Sequence, residues 1–325
     1  MTASSGRAGA GEPPLEAGLI GLGRMGLGVA RRLLGAGWRV VGWDLAAPAC
    51  REAAKAGVHV AQSARDVVAS LRPPRRIWLM VPAGEPVDRT LFDPSHGIQA
   101  LLEPGDVVVD GGNSFYEDSR RRARELRERA GAWLVDCGSS GGVEGAEQGL
   151  CLMVGGEPEA VEVAFPLLRA LAAPGGLAHV GPPGAGHFVK MVHNAVEYGM
   201  LQAIGEGFEL LSAAPYALDL HQVAVLWTHG SVVRGWLMEL LARALAKDPR
   251  LEGLRGVVGG GETGGWAIQE AWKRGVPFST LASAYAMRLR SRQEESVAAK
   301  VVAALRREFG GHSVTPVRQG AGGER

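Results

Sequence analysis

The chain has 325 residues, of which 46% are hydrophobic and 21% are charged, and its formal net charge is +1. This length exceeds one typical domain, so we expect two. The balanced charge argues against nucleic acid or a membrane surface as the main partner. Cys50, Cys137 and Cys151 form no CxxC pair, which favours a reduced, cytoplasmic protein without a zinc site.

Both ends of the chain are poor in apolar residues. Residues 1–16 are small and polar and lack the apolar segment of a signal peptide, so they are predicted to form a flexible tail. Residues 313–325 are rich in glycine and charge and are predicted to form a second one. No run in the sequence approaches the roughly 18 apolar residues that a membrane span requires.

A strand–turn–helix–strand unit opens the folded part. Ala17–Ile20 reads as a strand, Gly21-Leu22-Gly23-Arg24-Met25-Gly26 as the turn, and Arg39–Trp43 as a second strand ending at Asp44. In such a unit the glycines allow close approach to a pyrophosphate, and the helix amino end favours its charge. The strands, the glycine spacing and the acidic residue all match the pattern of a dinucleotide-binding unit, so the six turn residues are predicted to bind a dinucleotide.

Asp44 decides which dinucleotide is expected. A carboxylate at this position accepts hydrogen bonds from a ribose 2′-hydroxyl and repels a 2′-phosphate. The following Leu45-Ala46-Ala47 supplies no basic side chain that could bind that phosphate. NAD is therefore predicted as the cofactor, and NADP is disfavoured.

Alternation of strands and helices continues to about residue 184. The predicted strands are Ile77–Val81, Val107–Val109, Trp133–Val135, Leu152–Val154 and Ala178–Val180, with a helix at Pro158–Leu171. Polar, glycine-rich loops follow several of these strands. The pattern predicts an α/β fold: an N-terminal Rossmann-type doubly wound sheet over residues 17–184, with ligands bound at the carboxyl ends of its strands.

Helical patterns alone fill residues 185–312, which we predict to be an all-α C-terminal domain. After a long helix running to about Leu211, the predicted helices are Asp219–Trp227, Ser231–Ala246, Trp266–Lys273 and Ser279–Phe309.

Polar groups of several kinds share one stripe of the long helix. At 100° per residue the stripe carries an amine, an imidazole, an amide, a carboxyl and a phenol, from Lys190, His193, Asn194, Glu197 and Tyr198. The flanking apolar residues, Val189, Val192, Val196 and Met200, are predicted to face the core. Such a row is costly to bury unless it binds a polar ligand.

Two loops are expected to reach the same site. Asn113 follows one strand, and Ser140, Gly141 and Gly142 follow the next, offering a hydroxyl and backbone N–H groups suited to a carboxylate. His187, His193 and Glu197 lie on one helix and could suggest a metal. However, the HxxxE pair of His193 and Glu197 alone lacks a third ligand, so no metal site is predicted.

These motifs together resemble one enzyme family. Gly184-Ala-Gly-His-Phe-Val-Lys-Met-Val-His-Asn194 with Glu197-Tyr198-Gly199 is similar to the signature of decarboxylating 6-phosphogluconate dehydrogenases. Asp110–Ser114 and Ser140–Gly142 resemble two further signatures of that family. The resemblance extends from about Ala17 to His312. Chain length and Asp44 make the sequence similar to the shorter, NAD-preferring members.

The resemblance implies an activity and roles for individual residues. The implied reaction is oxidative decarboxylation of 6-phosphogluconate to ribulose 5-phosphate and CO₂, with Lys190 as base and Glu197 as acid. The implied substrate-binding residues are Asn113, Ser140, Gly141, Gly142, His193, Asn194, Tyr198, Arg288, Arg306 and His312. Val81, Pro82, Ala83 and Asn113 would join the turn residues and Asp44 around the cofactor. Arg306 and His312 resemble a tail that enters the partner subunit's site, so a homo-oligomer is implied.

The sequence departs from the family pattern at two positions. Gly261 stands where many members have a lysine near the phosphate, and Pro82 stands where the long branch often has a lysine. Two alternatives therefore remain open. One is a β-hydroxyacid dehydrogenase of the 3-hydroxyisobutyrate or tartronate-semialdehyde reductase type, and the other is a non-catalytic NAD-binding protein.

Overall fold

The structure, a computed structural model, describes residues 15–310, 313 and 315. These residues form two compact units. The first extends to Glu197 and includes Glu262–Pro277, and the second contains Tyr198–Gly261 and the described residues from Phe278 onward. The domain boundary expected between residues 184 and 185 stays a prediction.

The first unit is built on a sheet of eight strands. These are β1 (Glu16–Ile20), β2 (Arg39–Trp43), β3 (His59–Val60), β4 (Arg76–Leu79), β5 (Val107–Asp110), β6 (Trp133–Ser140), β7 (Leu150–Gly155) and β8 (Ala172–Gly181). Their order is β3-β2-β1-β4-β5-β6-β7-β8. All neighbours pair in parallel except β6 and β7, which are antiparallel. The predicted doubly wound, Rossmann-type sheet is confirmed.

Thirteen α-helices are assigned within the described residues. They are α1 (Arg24–Gly35), α2 (Ala47–Lys55), α3 (Ala64–Ala69), α4 (Glu85–Phe92), α5 (Tyr116–Ala130), α6 (Gly142–Gln148), α7 (Pro158–Leu171), α8 (Ala185–Ser212), α9 (Leu220–Trp227), α10 (Trp236–Lys247), α11 (Glu262–Lys273), α12 (Ser279–Arg290) and α13 (Val297–Gly310). A short 3₁₀ helix covers Gln99–Leu101. No strand is assigned after β8 in the described chain, so the predicted order of a sheet followed by helices is confirmed.

Alternate residues of the central strands face opposite sides of the sheet, as strand geometry requires. Leu19 and Val109 belong to an apolar cluster with α1 and α7, whereas Ile20 and Val108 belong to a second cluster with α3, α4 and α5. Because both faces are covered, the middle residues of the central strands, such as Leu19, Ile77 and Val108, are buried and apolar. This rigid sheet sets the positions of the loops at its carboxyl ends.

The second unit has a smaller core of its own. Phe208 of α8, Ala224 of α9 and Met238 of α10 are buried together, and the Phe208 ring meets that of Trp227 edge-on at 5.5 Å between centroids. The described parts of α12 and α13 also belong to this unit.

Among the predicted helices whose boundaries differ in the structure, two owe the difference to a serine hydroxyl. The helix expected from Ser231 begins only at Trp236, because Ser231 uses its hydroxyl to accept the N–H of Val233 in a turn. The single helix expected over residues 279–309 is broken between α12 and α13. There Ser296 accepts the N–H of Ala299 with its hydroxyl and so starts a new helix.

The apolar side of α8 is also placed differently from the prediction. Val189, Val192, Val196 and Met200 were expected in the core, but they are 38%, 37%, 45% and 51% exposed. The buried apolar residues of this segment are instead Met191 and Ala195. At 100° per residue Met191 and Ala195 lie about 100° and 140° from Lys190 in one direction around the helix, and the four exposed residues lie in the other. The prediction was wrong because Lys190 itself belongs to the buried side.

Candidate active site

The turn between β1 and α1 has the geometry of a phosphate cradle. Gly21 has φ +98°, and an added Cβ there would overlap the Met80 carbonyl group. An added Cβ at Gly26 would overlap the Gly21 carbonyl oxygen, so only glycine fits both positions. The space beside Gly23 is open, and no side chain caps the amino end of α1. The N–H groups of that first turn are therefore available to a pyrophosphate.

Asp44, at the end of β2, holds this turn in place. Its Oδ2 accepts the N–H of Leu22 at 2.7 Å, and its Oδ1 accepts the N–H of Ala46 at 2.7 Å. Each carboxylate oxygen retains a lone pair for a ribose hydroxyl. Of the other predicted turn contacts, Arg24 is exposed and Met25 half-buried. The donor set and the open cradle fit NAD.

Two further predicted cofactor segments lie at the carboxyl ends of neighbouring strands. Val81, Pro82 and Ala83 follow β4, with Val81 half-buried and the other two exposed. Asn113 follows β5 and is exposed. Because β4 and β5 are adjacent and parallel, these loops leave the same edge of the sheet.

Ser140 and His193 are brought together by the fold. Ser140 Oγ lies 3.1 Å from His193 Nε2, and the other ring nitrogen of His193 lies 3.1 Å from Asn194 Oδ1. Gly141 and Gly142 follow with φ of +130° and +60° and lead into α6. The strand β6 and the helix α8 thus bring three predicted substrate contacts together, Ser140, His193 and Asn194.

Lys190 is the most buried ionisable group of the stripe, with 7% of its surface exposed. Burial lowers the pKa of its amine, and the nearby Glu197 carboxylate only partly opposes this shift. Against β6, an added Cβ at Gly138 would overlap the lysine side chain and lie 2.9 Å from the Gly186 carbonyl oxygen. A buried amine with a depressed pKa can accept a proton near neutral pH.

A buried carboxylate fixes the helix that carries Lys190. Asp136 of β6 accepts the N–H of Gly184 at 2.6 Å and the N–H of His187 at 2.8 Å, so it caps the amino end of α8. His187 is itself buried, and its Nδ1 lies 2.7 Å from Ser119 Oγ on α5. Sequence reasoning missed Asp136, Gly138 and Ser119, because only the contacts between distant segments give them their roles.

Glu197 is half-buried and belongs to the first unit together with Lys190. The second unit contains Tyr198 and Arg288, whose guanidinium carbon lies 3.8 Å from the centroid of the Tyr198 ring. Arg306 is an exposed residue of α13. His312 lies outside the described residues.

The described residues contain neither a cluster of metal ligands nor a membrane-spanning helix. Among residues 15–310, 313 and 315, no three His, Cys, Asp or Glu side chains are grouped as metal ligands. In the same part of the chain, no helix combines the length and the apolarity needed to cross a membrane.

Both halves of the chain match models of known protein families. Residues 16–185 match the model of the NAD binding domain of 6-phosphogluconate dehydrogenase, and residues 186–312 match that of the 6-phosphogluconate dehydrogenase C-terminal domain. An NAD(+)-dependent, decarboxylating 6-phosphogluconate dehydrogenase of Haloferax volcanii is 46% identical over 302 residues, covering 92% of this chain and 98% of that protein. YqeC of Bacillus subtilis (strain 168), provisionally named a 6-phosphogluconate dehydrogenase, is 42% identical over 299 residues, covering 92% and 99%.

Similarity to a solved structure supports the same family. The 6-phosphogluconate dehydrogenase of Plasmodium falciparum is 27% identical with a TM-score of 0.78, over 94% of this chain and 67% of that one. Both family models, the dinucleotide cradle and the buried lysine of α8 point the same way: this chain belongs to the 6-phosphogluconate dehydrogenase family.

Proposed function

We propose that this protein oxidises and decarboxylates 6-phosphogluconate to ribulose 5-phosphate and CO₂, with NAD as its cofactor. The observation that carries this proposal is Lys190, a buried amine of lowered pKa placed against β6 within reach of the Glu197 charge. A base and an acid on one rigid helix suit a reaction with two proton transfers and no metal.

Lys190 acts first as a base. In its neutral form it takes the proton of the C3 hydroxyl while the C3 hydride leaves. NAD would be held by the turn after β1 and by Asp44, and it would supply the acceptor for this hydride. The product is a 3-keto acid whose carboxylate is β to the new carbonyl group. Lys190, now an ammonium, donates a hydrogen bond to the keto oxygen.

Decarboxylation and protonation complete the reaction. As the bond between C1 and C2 breaks, CO₂ leaves and its electron pair forms the enol, whose oxygen takes the proton held by Lys190. Glu197 then donates a proton to the former C2, and Lys190 takes back the enol proton as the ketone forms. The step leaves Lys190 as an ammonium and Glu197 as a carboxylate, so one proton passes from Lys190 to Glu197 before the next turnover.

The remaining polar residues are proposed to hold the substrate. Ser140 with the N–H groups of Gly141 and Gly142 suits the carboxylate, since consecutive N–H groups favour an anion. His193 and Asn194 suit the hydroxyl groups, with Asn113 shared between substrate and cofactor. Tyr198 and Arg288 are assigned to the far end of the substrate, and Arg306 and His312 to the site of the neighbouring subunit.

The decisive experiment measures NADH and CO₂ together. With 6-phosphogluconate and NAD, we expect one CO₂ for each NADH. NADH without CO₂ would instead indicate a simple β-hydroxyacid dehydrogenase, and NAD binding without either product would indicate a non-catalytic protein. Glu197→Gln should slow proton delivery to the enol, so a wild-type rate in that variant would exclude the acid role.

We also propose that the protein is a homo-oligomer. The exposed apolar residues Val189, Val192 and Val196 form a continuous side of α8, and Val301 and Leu305 of α13 are 51% and 56% exposed. Apolar surface of this kind is usually covered by another chain. Light scattering should give a mass above that of one 34.1 kDa chain, and Val301→Glu should reduce it. A monomeric wild type would contradict the proposal.

A cytoplasmic location is proposed on the basis of the cysteines. Cys50, Cys137 and Cys151 are all free thiols, of which Cys137 is buried. Burial raises the pKa of the Cys137 thiol well above its ordinary value and so keeps it unreactive. Three free thiols without a disulfide fit a reducing compartment. Fractionation of the native host would test the cytoplasmic location.

A further inference from the structure

A fully buried arginine outside the predicted site links its loops. Arg122 of α5 has a side chain with no exposed surface. A buried guanidinium is costly unless its donors are paired. Its Nε and Nη2 donate to the two carboxylate oxygens of Asp88, each at 2.9 Å.

The remaining donors of Arg122 bond to two different loops. Nη2 also donates to the carbonyl oxygen of Gly84 at 2.9 Å, directly after the Val81–Ala83 segment. Nη1 donates to Ser114 Oγ at 3.3 Å, directly after Asn113. One planar group thus ties the end of the cofactor loop after β4 to the loop after β5.

The second loop is held in turn by a buried carboxylate. Ser114 donates its hydroxyl proton to Asp110 Oδ2 at 2.7 Å, and Asp110 Oδ1 accepts the N–H of Gly112 at 3.1 Å. Both Asp110 and Ser114 are buried. The backbone on either side of Asn113 is therefore fixed through a chain of hydrogen bonds that ends at Arg122.

Asp88 keeps its charge in this arrangement. Partial burial by itself raises the pKa of Asp88, but the hydrogen bonds from Arg122 and Arg121 outweigh it and lower the pKa below its ordinary value. The ion pair consequently persists at neutral pH. Lysine could not replace the arginine, because a single ammonium cannot donate in a plane to a carboxylate, a carbonyl and a hydroxyl together.

We propose that Arg122 is a positioning residue, which holds the loops after β4 and β5 in the arrangement that binds NAD and presents Asn113. This inference rests on the proposed function for its effect on turnover, but its effect on NAD binding is independent of the substrate. Arg122 touches neither ligand in this role and acts through Gly84 and Ser114.

The test compares Arg122→Ala and Arg122→Lys with Arg121→Ala. Arg121 is a matched control because it also binds Asp88, at 2.8 Å, but it is 41% exposed and has no bond to either loop. The measurements are the Kd for NAD by fluorescence titration without any sugar acid, the thermal midpoint, and kcat and KM separately.

Both Arg122 variants should raise the Kd for NAD about tenfold and lower kcat about tenfold or more, as expected when reacting groups shift by about an ångström. Arg121→Ala should stay within about twofold of wild type. Added guanidinium chloride at low millimolar concentration should restore NAD binding in Arg122→Ala, a rescue that a purely structural role would not show. NAD binding and kcat within twofold of wild type in folded Arg122→Lys would overturn the proposal.

If the Arg122 variants do not fold, a substitution of Ser114 provides a second measurement. Ser114→Ala removes the bond from Arg122 to the β5 loop together with the bond from Ser114 to Asp110, but it leaves the bond from Arg122 to Gly84. It should therefore lower kcat severalfold and raise the Kd for NAD less than the Arg122 variants do. An unchanged kcat in Ser114→Ala would contradict the link to Asn113. If wild type binds NAD but does not turn over 6-phosphogluconate, the proposed function fails, whereas the role of Arg122 in NAD binding is still decided by the titration.

Discussion

Gly138 of β6 lies directly against Lys190 of α8, and the space that a Cβ would need at residue 138 is filled by the lysine side chain. The same added Cβ would lie 2.9 Å from the Gly186 carbonyl oxygen. A strand and a helix approach this closely only where side chains are missing. The position of the proposed base therefore depends on a residue that has no side chain of its own.

Gly138→Ala should displace Lys190 and lower kcat about a hundredfold, because small misplacements of a reacting group are costly. Overpacking should also lower the free energy of unfolding by about 1–3 kcal/mol. Gly205→Ala is the matched control, since α8 has open space beside Gly205 and alanine favours a helix. Steady-state kinetics and thermal unfolding measure both effects, and wild-type kcat in Gly138→Ala would refute the packing argument.

The pH dependence of kcat/KM should report the titration of Lys190. Turnover requires the neutral amine, so kcat/KM should fall at acid pH, with a midpoint below the ordinary lysine value of about 10.4. The Glu197 carboxylate favours the charged amine and partly opposes the burial effect on its pKa. Glu197→Gln should therefore move the acid limb to lower pH. A limb that stays in place or moves upward in this variant would contradict the electrostatic coupling.

Lys190→Met should abolish turnover and stabilise the fold. Because burial lowers the pKa of Lys190, the unfolded chain binds its proton more tightly than the folded protein does. Between the folded and unfolded pKa values the unfolded state carries more protons, so wild-type stability rises with pH there. Methionine binds no proton, so this pH-dependent contribution to stability is absent from Lys190→Met. The gain in thermal midpoint should be largest at low pH and vanish near pH 10, and a gain independent of pH would reject the burial argument.

The sheet and the dinucleotide turn were predictable because their signals are local. Apolar runs mark the buried strands, and the spacing of Gly21, Gly23 and Gly26 marks the turn. Local patterns could not decide which side of α8 is buried. Lys190 lies on the buried side because Asp136, more than 40 residues earlier, caps the helix and fixes its rotation.

The residues that position the site share this lack of a local signal. Arg122 lies among several arginines of α5, and nothing in that run distinguishes it from Arg121. Only the fold shows that one is buried between two loops and the other is exposed. In the same way, Ser119 gains its contact with His187 from the packing of α5 and α8. Motifs suggest the candidate ligand contacts, whereas the residues that hold those contacts in place have no such signal in the sequence.

Asp44→Asn should weaken the preference for NAD. The amide oxygen can still accept the N–H of Leu22, so the turn should persist, whereas the bond from Ala46 and the charge that repels a 2′-phosphate are lost. Charged hydrogen bonds contribute about 1.5–3 kcal/mol, so the ratio of kcat/KM for NAD over NADP should fall about tenfold to a hundredfold. Asp66→Asn, an exposed carboxylate at the start of α3, is the control. An unchanged ratio would show that another group selects the cofactor.

Arg288 and Arg292 should both contribute to binding the substrate phosphate. Arg288 lies in the last turn of α12 and Arg292 just beyond its end, and both donate to carbonyl oxygens of the same glycine-rich segment. Arg288 bonds to Gly259 at 3.2 Å and Arg292 to Val258 at 2.8 Å. An added Cβ at Gly261 would lie 3.5 Å from Arg292 Nη2, so this guanidinium lies beside the position where a lysine is missing.

Replacing either arginine by glutamine should raise the KM for 6-phosphogluconate about tenfold or more, since hydrogen bonds between charged groups are lost. Inorganic phosphate should inhibit wild type competitively and the two variants less. Arg290 is the matched control, because it lies between them in sequence but bonds to the Gln293 carbonyl oxygen in its own turn and not to the glycine-rich segment. If Arg290→Gln raises KM as much as Arg288→Gln does, the basic end of α12 acts only through its overall charge.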